Sequence, residues 1–406
     1  MTHDKARIWF FTDVHGANEC FRKFLNSVKN ENRPNVLIIG GDITGKQVIP
    51  LVEDDVGCIS ATVEGGAVKF PVTKLSDFKK RLSDIGYYPY ECNETSYKRF
   101  VTDPNYHREI IDRLVKERVE EWVKLADTLL PSRDECQVFI NPGNDDPFFI
   151  DPILDASSKL IRPEGKICDL PCGLKMLSTG YSNWTPWDCP RQCKNRDDET
   201  ELLTRIAEMT GRLSAHDSKH LLFNFHCPPR DTTLDLANKI DPNTKQKAAG
   251  LRGAAKEHVG STAVRQAIEV WQPLVGLHGH IHEVTAKKDK IGNTICFNPG
   301  TDYYTGHLQG VYLQINKRGE IEADLLTEER YPRVKKNKPR SLWDALLSII
   351  PVVGPAIEAH QSRTLDEKIL EQITEIKDDL EEMKKRNIPS TSGSNIDSVK
   401  SREEER

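Results

Sequence analysis

Seven residues with metal-binding side chains are spread over five short segments of the chain. They offer carboxylate, imidazole and carboxamide donors, and they are Asp13, His15, Asp42, Asn144, His226, His280 and His282. Oxygen and nitrogen donors without thiolate suit manganese, iron or zinc in open sites. Seven donors are enough to hold two divalent cations. Two cations about 3.5–4 Å apart form a known device for attacking phosphate esters.

Each of the five segments directly follows a short apolar run. The runs are residues 6–12, 35–39, 137–140, 220–225 and 273–277. Continuous apolar runs that alternate with helical patterns are typical of buried strands in an α/β fold. Side chains just past the carboxyl ends of parallel strands enter a shared crevice. The pattern therefore predicts that the seven donors converge.

Asp42 is the predicted bridge between the two cations. It follows Gly40 and Gly41, whose backbone freedom lets the chain turn sharply and bring the carboxylate to the crevice floor. A hydroxide shared by two cations forms near neutral pH and is a nucleophile, and the same positive charges stabilise the phosphoryl transition state. The residues thus predict attack by a metal-bridging hydroxide. Manganese is the favoured metal, with iron or zinc as alternatives.

The five segments resemble the motifs of the calcineurin-like metallophosphoesterases. The resemblance runs from Ala6 to Leu326 and is closest to an Icc-like branch, in the loops 226–235, 260–261, 280–283 and 298–301. It implies a four-layer α-β-β-α sandwich of two mixed sheets. It also implies two metal sites that share Asp42: Asp13, His15 and His282 for the first metal, and Asn144, His226 and His280 for the second.

One position departs from the family pattern. Many members follow the Gly-Asn pair with a histidine that protonates the leaving group, whereas Gly143-Asn144 is followed here by Asp145 and Asp146. Asp145 replaces that histidine only if burial or a neighbouring carboxylate keeps it protonated near neutral pH. We predict catalytic roles for Asn144 and Asp145. Without an effective acid, the enzyme would favour activated phosphodiesters, nucleotides or anhydrides.

Composition excludes some classes of protein. The chain has 406 residues and a net charge of −5, which argues against a strongly basic surface made for nucleic acid. No apolar stretch reaches the about 20 residues of a membrane helix, and the N-terminus has no signal-peptide pattern. We therefore expect a cytoplasmic protein.

The catalytic domain is predicted to span residues 1–327, with an insertion over 46–104 near the site. The insertion contains a hairpin signal around Gly65-Gly66, and it either roofs the crevice or pads the far edge of the sheet. Residues 106–130 predict one long helix. Residues 294–297, 310–315 and 321–326 predict antiparallel strands that close a second sheet.

A helical appendage is predicted over 328–387 and a disordered tail over 388–406. The appendage has a basic linker (333–340) and a broken apolar segment (342–357). A 4-3-4-3 spacing then predicts a short coiled coil, formed by Ile369, Ile373, Ile376, Leu380 and Met383. Such a helix suits a homo-oligomer contact, and the alternative is an amphipathic helix packed on its own domain.

The ten cysteines sit mostly singly in or beside apolar runs, as reduced thiols do. Two pairs, Cys168 with Cys172 and Cys189 with Cys193, leave a zinc site open as an alternative to ordinary loop cysteines. The usual spacing of such pairs is two intervening residues, and here it is three. Among the remaining histidines, we expect His278 to be a strand-end residue that points away from the metals, and His258 to be the first candidate for a further role.

The sequence as a whole predicts a dinuclear metal-dependent phosphoesterase that acts on a small, phosphorylated, nucleotide-like substrate. Three alternatives stay open. A nuclease would need a basic track, and the dense basic cluster at 333–340 lies outside the catalytic domain. A catalytically weak scaffold would have no need of seven intact donors. A protein of anionic membrane surfaces would use the same basic stretch and the apolar segment after it.

Overall fold

The computed structural model describes residues 4–29, 33–214, 217–241, 244, 249–250, 253–284 and 286–326. The predicted appendage with its coiled coil (328–387) and the predicted tail (388–406) lie outside these residues.

The strands in the described ranges follow one another along the chain as β1 (Lys5–Phe11), β2 (Val36–Ile39), β3 (Val48–Glu53), β4 (Cys58–Val63), β5 (Gly66–Pro71), β6 (Tyr88–Cys92), β7 (Gln137–Ile140), β8 (Leu160–Ile161), β9 (Ile167–Asp169), β10 (Lys175–Thr179), β11 (Leu221–Phe225), β12 (Leu236–Asn238), β13 (Ala249–Gly250), β14 (Gly253–Ala254), β15 (Lys256–His258), β16 (Val275–Leu277), β17 (Lys287–Ile291), β18 (Thr294–Asn298), β19 (Gly310–Asn316) and β20 (Ile321–Leu326). The α-helices in the same ranges are α1 (Asn18–Asn26), α2 (Leu75–Asp84), α3 (Glu94–Thr102), α4 (Pro104–Leu129), α5 (Asp151–Asp155), α6 (Thr200–Thr210) and α7 (Thr262–Trp271).

The first large sheet has the strand order β20-β19-β1-β2-β7-β8. Strands β1, β2, β7 and β8 are parallel, and β19 and β20 are antiparallel to their neighbours. All four residues of β2 are buried, as expected of a parallel strand covered on both faces. The last residues of β1, β2 and β7 stand side by side, because Phe11 pairs with Ile39 and Ile39 with Ile140.

The second large sheet has the order β17-β18-β16-β11-β10-β9. Strands β10, β11, β16 and β18 are parallel, and the edge strands β9 and β17 run antiparallel to them. Strand β11 ends directly before His226. The loop after β16 carries His280 and His282. Each sheet therefore presents ligand candidates beyond the carboxyl ends of its parallel strands.

Three apolar clusters separate four layers. Phe10 of β1 and Met176 of β10 belong to the cluster between the sheets. Phe11 points to the opposite face, because successive strand residues alternate, and it packs with helices α1 and α4. There the rings of Phe21 and Trp122 stack with centroids 4.1 Å apart. Phe223 packs with α6 and α7 on the outer face of the second sheet. The predicted α-β-β-α sandwich of mixed sheets is confirmed.

The predicted make-up of the second sheet is wrong. Strands β19 and β20 extend the first sheet, because β19 pairs with β1 along its whole length, from Lys5 opposite Asn316 to Phe11 opposite Gly310. The inward side chains of β19 then complete the cluster between the sheets. Strand β18 does join the second sheet, but parallel to β16. Strand β10, in the middle of the parallel part, was not predicted.

The segment 46–104 forms its own sheet, with the order β5-β4-β3-β6, together with α2 and α3. The predicted hairpin is confirmed: Val63 pairs with Gly66. The two turn residues, Glu64 and Gly65, have φ of 49° and 78°, as a two-residue hairpin turn of right-handed twist requires. Tyr88 of β6 accepts a hydrogen bond from the Gly45 N–H at 3.1 Å. The sheet thus lies beside the loop that carries Asp42.

Helix α4 is the predicted long helix. The Asp103 side chain caps it by accepting from the N–H groups of Asn105 and Tyr106, and Pro104 stands in its first turn, where its missing N–H costs no helical hydrogen bond. In the described ranges, no helix combines the length and the apolar character that crossing a bilayer requires.

Candidate metal centre

All seven predicted ligand side chains lie together between the carboxyl ends of the two sheets. The potential ligand atoms form two groups, and within each group all atoms lie within 4.8 Å of one another. The first group takes one atom each from Asp13, His15, Asp42 and His282, and the second takes one each from Asp42, His226 and His280. Asp42 belongs to both groups. Asn144 joins the second group, since its Oδ1 lies 2.7 Å from His280 Nδ1.

The backbone at this site is held in an unfavourable conformation. Asp13, His15, Asp42 and His280 have φ of 53°, 40°, 48° and 68°, in the left-handed region that costs a residue with a side chain on the order of 1–3 kcal/mol. Interlocking hydrogen bonds impose it: the Asp13 N–H donates to Gly41 O and the His15 N–H to Asp42 O, both at 3.0 Å. The loops after β1 and β2 therefore hold one another in shape.

Gly41 and Gly143 allow the metal-binding loops to come into close contact. A Cβ on Gly41 would overlap the ring of His226, and a Cβ on Gly143 would overlap the backbone and carboxylate of Asp42. No side chain can be tolerated at such contacts, so glycine is the residue that permits them. The Gly41 contact brings a loop of the second sheet against a loop of the first, and the Gly143 contact joins two loops of the first sheet.

Asp146 ties the Asp42 loop to the Asn144 loop. Its buried carboxylate accepts hydrogen bonds from the N–H groups of Ile43 (2.9 Å), Thr44 (2.8 Å) and Gly143 (2.6 Å), and from the Thr44 hydroxyl (2.6 Å). Burial, and then the charge of Asp42, raise the pKa of Asp146 to about 6 in spite of these donors. Sequence reasoning missed this role.

His15 and His282 face one another, with their Nε2 atoms 3.0 Å apart. The His15 Nδ1 lies 3.3 Å from the Thr44 carbonyl, which favours the tautomer with Nδ1–H and a free Nε2. Burial lowers the pKa of His15. Burial lowers the pKa of His282, but the hydrogen bond with Asp13 and the charges of the neighbouring carboxylates together raise the pKa above its ordinary value. Two imidazole nitrogens aimed at the same point need a proton or a cation between them.

His226 gives the strongest indication that cations fit here. It is fully buried, and neither ring nitrogen has a hydrogen-bond partner. Its Nε2 lies 3.3 Å from Asp42 Oδ2 and 3.9 Å from Asp13 Oδ1. Burial lowers the pKa of His226, but these two carboxylates outweigh it and raise the pKa to about 9. Unpaired buried polar atoms are costly, and a cation held by imidazole and carboxylate would satisfy them.

Asp42 has the orientation of a shared ligand. Its Oδ1 accepts a hydrogen bond from the Asp145 N–H at 3.0 Å, while Oδ2 faces His226 at 3.3 Å and His15 at 4.0 Å. Burial alone would raise the pKa of Asp42, but the positive charge of His226 outweighs it and lowers the pKa. For Asp13, burial is likewise outweighed, first by His226 and then by the hydrogen bond with His282, and the pKa falls to about 2.

Residues 6–71 match the family model described as calcineurin-like phosphoesterase. The matched residues include three of the predicted ligands, Asp13, His15 and Asp42.

The solved structures that match the chain share little sequence with it. The protein TT1561 of Thermus thermophilus has 11% identity and a TM-score of 0.37, over 79% of this chain and 98% of that one. Phosphopantetheinyl hydrolase of Mycobacterium tuberculosis has 10% identity and a TM-score of 0.34, over 75% of this chain and 92% of that one. The 5'-nucleotidase precursor of Thermus thermophilus has 8% identity and a TM-score of 0.29, over 79% of this chain and 54% of that one. No curated protein matches the chain.

Two residues that were not predicted as ligands hold the loops of the second sheet that carry the metal-binding histidines. The Nδ1 of His278 lies 2.7 Å from Phe225 O and 3.2 Å from Cys227 O, on either side of His226. Burial lowers the pKa of His278 to about 4, so its ring is neutral. The buried Asn298 amide donates to the carbonyls of Gly279 (3.1 Å) and Ile281 (3.4 Å). The loop of His280 and His282 is thereby pinned.

His258 pairs with a buried carboxylate in the loop that follows His226. Its Nδ1 lies 2.8 Å from Asp235 Oδ1. Asp235 also accepts from the N–H groups of Thr232 (2.9 Å) and Gly260 (3.0 Å). These contacts join the loop 226–235 to residues 258–260, so that the two segments form one structural unit beside the site.

Asp145 stands at the outer side of the metal centre, surrounded by donors. Its Oδ1 lies 2.5 Å from Lys46 Nζ and accepts from the Cys189 thiol at 2.9 Å and the Asn144 amide at 3.1 Å. Lys46, Asp145 and Cys189 are called the rim cluster below. The predicted acid role of Asp145 stays a prediction. Sequence reasoning missed Lys46, a single lysine in a loop with no pattern around it.

The two cysteine pairs lie in different surroundings. Cys168 and Cys172 pack against the cluster between the sheets, Cys193 belongs to the cluster under α6 and α7, and Cys189 is in the rim cluster. In the part of the chain that the structure describes, the groups able to hold a metal contain none of the four. The two pairs therefore do not come together as one four-thiolate site within the described residues.

Proposed function

We propose that the chain hydrolyses phosphodiester or phosphomonoester bonds at a dinuclear metal centre. The observation that carries this proposal is the pair of ligand groups that share Asp42, each with its ligand atoms within 4.8 Å. Asp13, His15 and His282 would hold one cation, and Asn144, His226 and His280 the other. When bound, two such cations supply an acidified water as nucleophile and positive charge for the phosphate oxygens. The donor set favours manganese, with iron or zinc as alternatives.

The contacts around the ligands serve to orient them before any substrate binds. The Thr12 hydroxyl donates to Asp13 Oδ2 at 2.6 Å, and the His280 N–H reaches the same carboxylate at 3.1 Å. The Asp145 N–H fixes one oxygen of Asp42 and leaves the other facing the histidines. Ligands oriented in this way need no rearrangement during the reaction, which is the basis of electrostatic catalysis.

The substrate we propose is small and nucleotide-like. Aromatic residues in the loops around the metal centre support this. Trp187 is 42% exposed, and its carbonyl accepts from the N–H of Cys189 in the rim cluster. On the side of His15, the Tyr303 ring lies 4.9 Å from the imidazole, and the neighbouring Tyr304 is 59% exposed. Stacking of a base on an aromatic side chain contributes about 1–3 kcal/mol.

Metal analysis and a substrate panel test the proposal together. Manganese-reconstituted protein should contain two equivalents of metal and hydrolyse at least one member of a panel of cyclic, linear and mono-phosphorylated nucleotides. Trp187→Ala should raise KM for that nucleotide about 5- to 100-fold, the range that base stacking represents, and leave KM for p-nitrophenyl phosphate unchanged. Protein that binds two metals but turns over no phosphate ester would contradict the function. Equal effects of Trp187→Ala on both substrates would contradict the nucleotide.

A further inference from the structure

Lys46 is a cation beside the metal centre to which the proposed function gives no role. It is the positively charged member of the rim cluster, and its side chain is 50% exposed. Burial lowers the pKa of Lys46, but the charge of Asp145, its hydrogen bond and the other negative groups nearby together raise the pKa above its ordinary value. The ammonium is therefore charged at neutral pH and accessible to a molecule that approaches the metals from solvent.

The chain holds Lys46 close to the centre through a short, rigid connection. Lys46 follows Asp42 by four residues in the same loop. The residues in between are fixed, because Thr44 donates twice to Asp146 and the Gly45 N–H donates to Tyr88. Its partner Asp145 is anchored to the same point, since the Asp145 N–H donates to Asp42 Oδ1. Both members of the ion pair are thus positioned relative to Asp42.

The donors around Asp145 indicate that its Oδ1 is an acceptor. An ammonium, a thiol and an amide all converge on this atom. An oxygen that accepts three such contacts does not itself carry a proton. The arrangement suits a carboxylate that holds Lys46 in place, and the ammonium is then the group in the rim cluster that can meet an anion.

We propose that Lys46 binds a phosphoryl oxygen of the substrate, and that Asp145 is a positioning residue that holds the Lys46 ammonium toward the metal centre. This inference rests on the proposed function and extends it to phosphate binding. A phosphate at this centre would lie close to the negative charges of Asp42 and Asp145. Lysine is a common phosphate-binding residue, acting as a point charge, and its flexible stem lets it exchange Asp145 for a phosphate oxygen.

Calorimetric titration of inorganic phosphate into manganese-loaded, full-length protein tests this without turnover. Lys46→Met should weaken phosphate binding about 10- to 100-fold, as expected for the loss of a hydrogen bond between charged groups. Lys46→Arg should keep most of the affinity. The matched control is Lys69→Met, because Lys69 is also exposed and pairs with a carboxylate, Asp54, at 2.8 Å in the same insertion. This control should bind phosphate like the unmodified protein.

The outcomes separate the inference from the function. Unmodified protein that binds two manganese ions but no phosphate would overturn the inference, and the proposed function would fail with it only if the same protein also hydrolysed no phosphate ester. Unmodified protein that binds phosphate, with Lys46→Met binding it equally well, would overturn the role of Lys46 alone. Elemental analysis of each variant is part of the test. A Lys46→Met protein that has lost manganese would assign the residue to metal retention and so also refute phosphate binding.

Kinetics of Asp145→Asn test the positioning role. If Asp145 acts through Lys46, the variant should raise KM by a similar factor for phenyl phosphate and p-nitrophenyl phosphate, with little change in kcat. If Asp145 instead protonates the leaving group, kcat should fall selectively for phenyl phosphate, whose leaving group needs the proton. That selective loss would overturn the proposal.

Discussion

The inner and outer sides of the metal centre differ in burial and in how they are held. On the inner side, Asp13, Asp42 and His226 are almost wholly buried and fixed by backbone contacts between two sheets. On the outer side, the Lys46 side chain of the rim cluster is half-exposed, at 50%. The difference indicates that the two sides have separate roles: the inner side holds the metals, and the outer side contacts the substrate.

Asp42→Asn should have the largest effect, because this carboxylate belongs to both ligand groups. We expect kcat/KM to fall by about 10³-fold or more, on the scale of losing a principal electrostatic interaction in catalysis, and at least one equivalent of metal to be lost. Circular dichroism should show an intact fold. Asp54→Asn, in the insertion, is the matched control. A variant with normal turnover would show that Asp42 is not the bridge.

The charge on His226 predicts how the metal-free protein responds to pH. Its folded pKa of about 9 lies above the ordinary 6.5, so its contribution to stability is complete below pH 6.5 and is lost as the pH rises through 9. One pKa unit corresponds to about 1.4 kcal/mol, so the loss approaches about 3 kcal/mol. His282 shifts in the same direction. Asp13 and Asp42 are ionised in both states over this range. Asp146, whose folded pKa is raised to about 6, completes its ionisation at the lower end of the range and acts in the same direction as His226.

Thermal unfolding in a chelator between pH 6.5 and 9 measures this effect. The melting temperature should fall across the range in the metal-free protein and stay nearly constant in His226→Gln. Manganese should suppress the fall, since metal binding requires the neutral imidazole. A melting temperature that rises with pH in the chelated protein would contradict the assigned charge state.

Asn298→Ala tests whether hydrogen bonds to the backbone keep the loop of His280 and His282 in place. The variant loses the amide that bonds the carbonyls of Gly279 and Ile281. Residues that orient metal ligands typically change metal affinity about 10- to 100-fold, and we expect a manganese affinity weakened within that range, measured by competition with a chelator. Unchanged affinity would show that the ligand loop keeps its shape without this support.

Cys189→Ala should have the smallest effect. It removes one hydrogen-bond donor from Asp145 and leaves Lys46 in place. The loss of one hydrogen bond corresponds to about a 2- to 10-fold change, and we expect it in KM, with metal content unchanged. A loss of metal would show that Cys189 supports metal binding, as the inner side does, and would contradict the separate roles of the two sides.

The sequence predicted the inner side better than the outer side for a physical reason. Strand β7, and nearly all of β1 and β2, could be recognised as continuous apolar runs, and the carboxyl ends of parallel strands necessarily meet. Lys46 has no such signal, because its position depends on an ion pair with Asp145, 99 residues later in the chain. Strand β10 and the place of β19 were missed because pairing partners are set by long-range packing and not by local pattern.

The central claim is that two cations lie on either side of Asp42. Anomalous diffraction at the manganese edge from crystals of reconstituted protein tests it most directly. We predict two peaks about 3.5–4 Å apart, one next to Asp13, His15 and His282 and the other next to Asn144, His226 and His280. A single peak, or none within reach of Asp42 in fully loaded protein, would contradict the account.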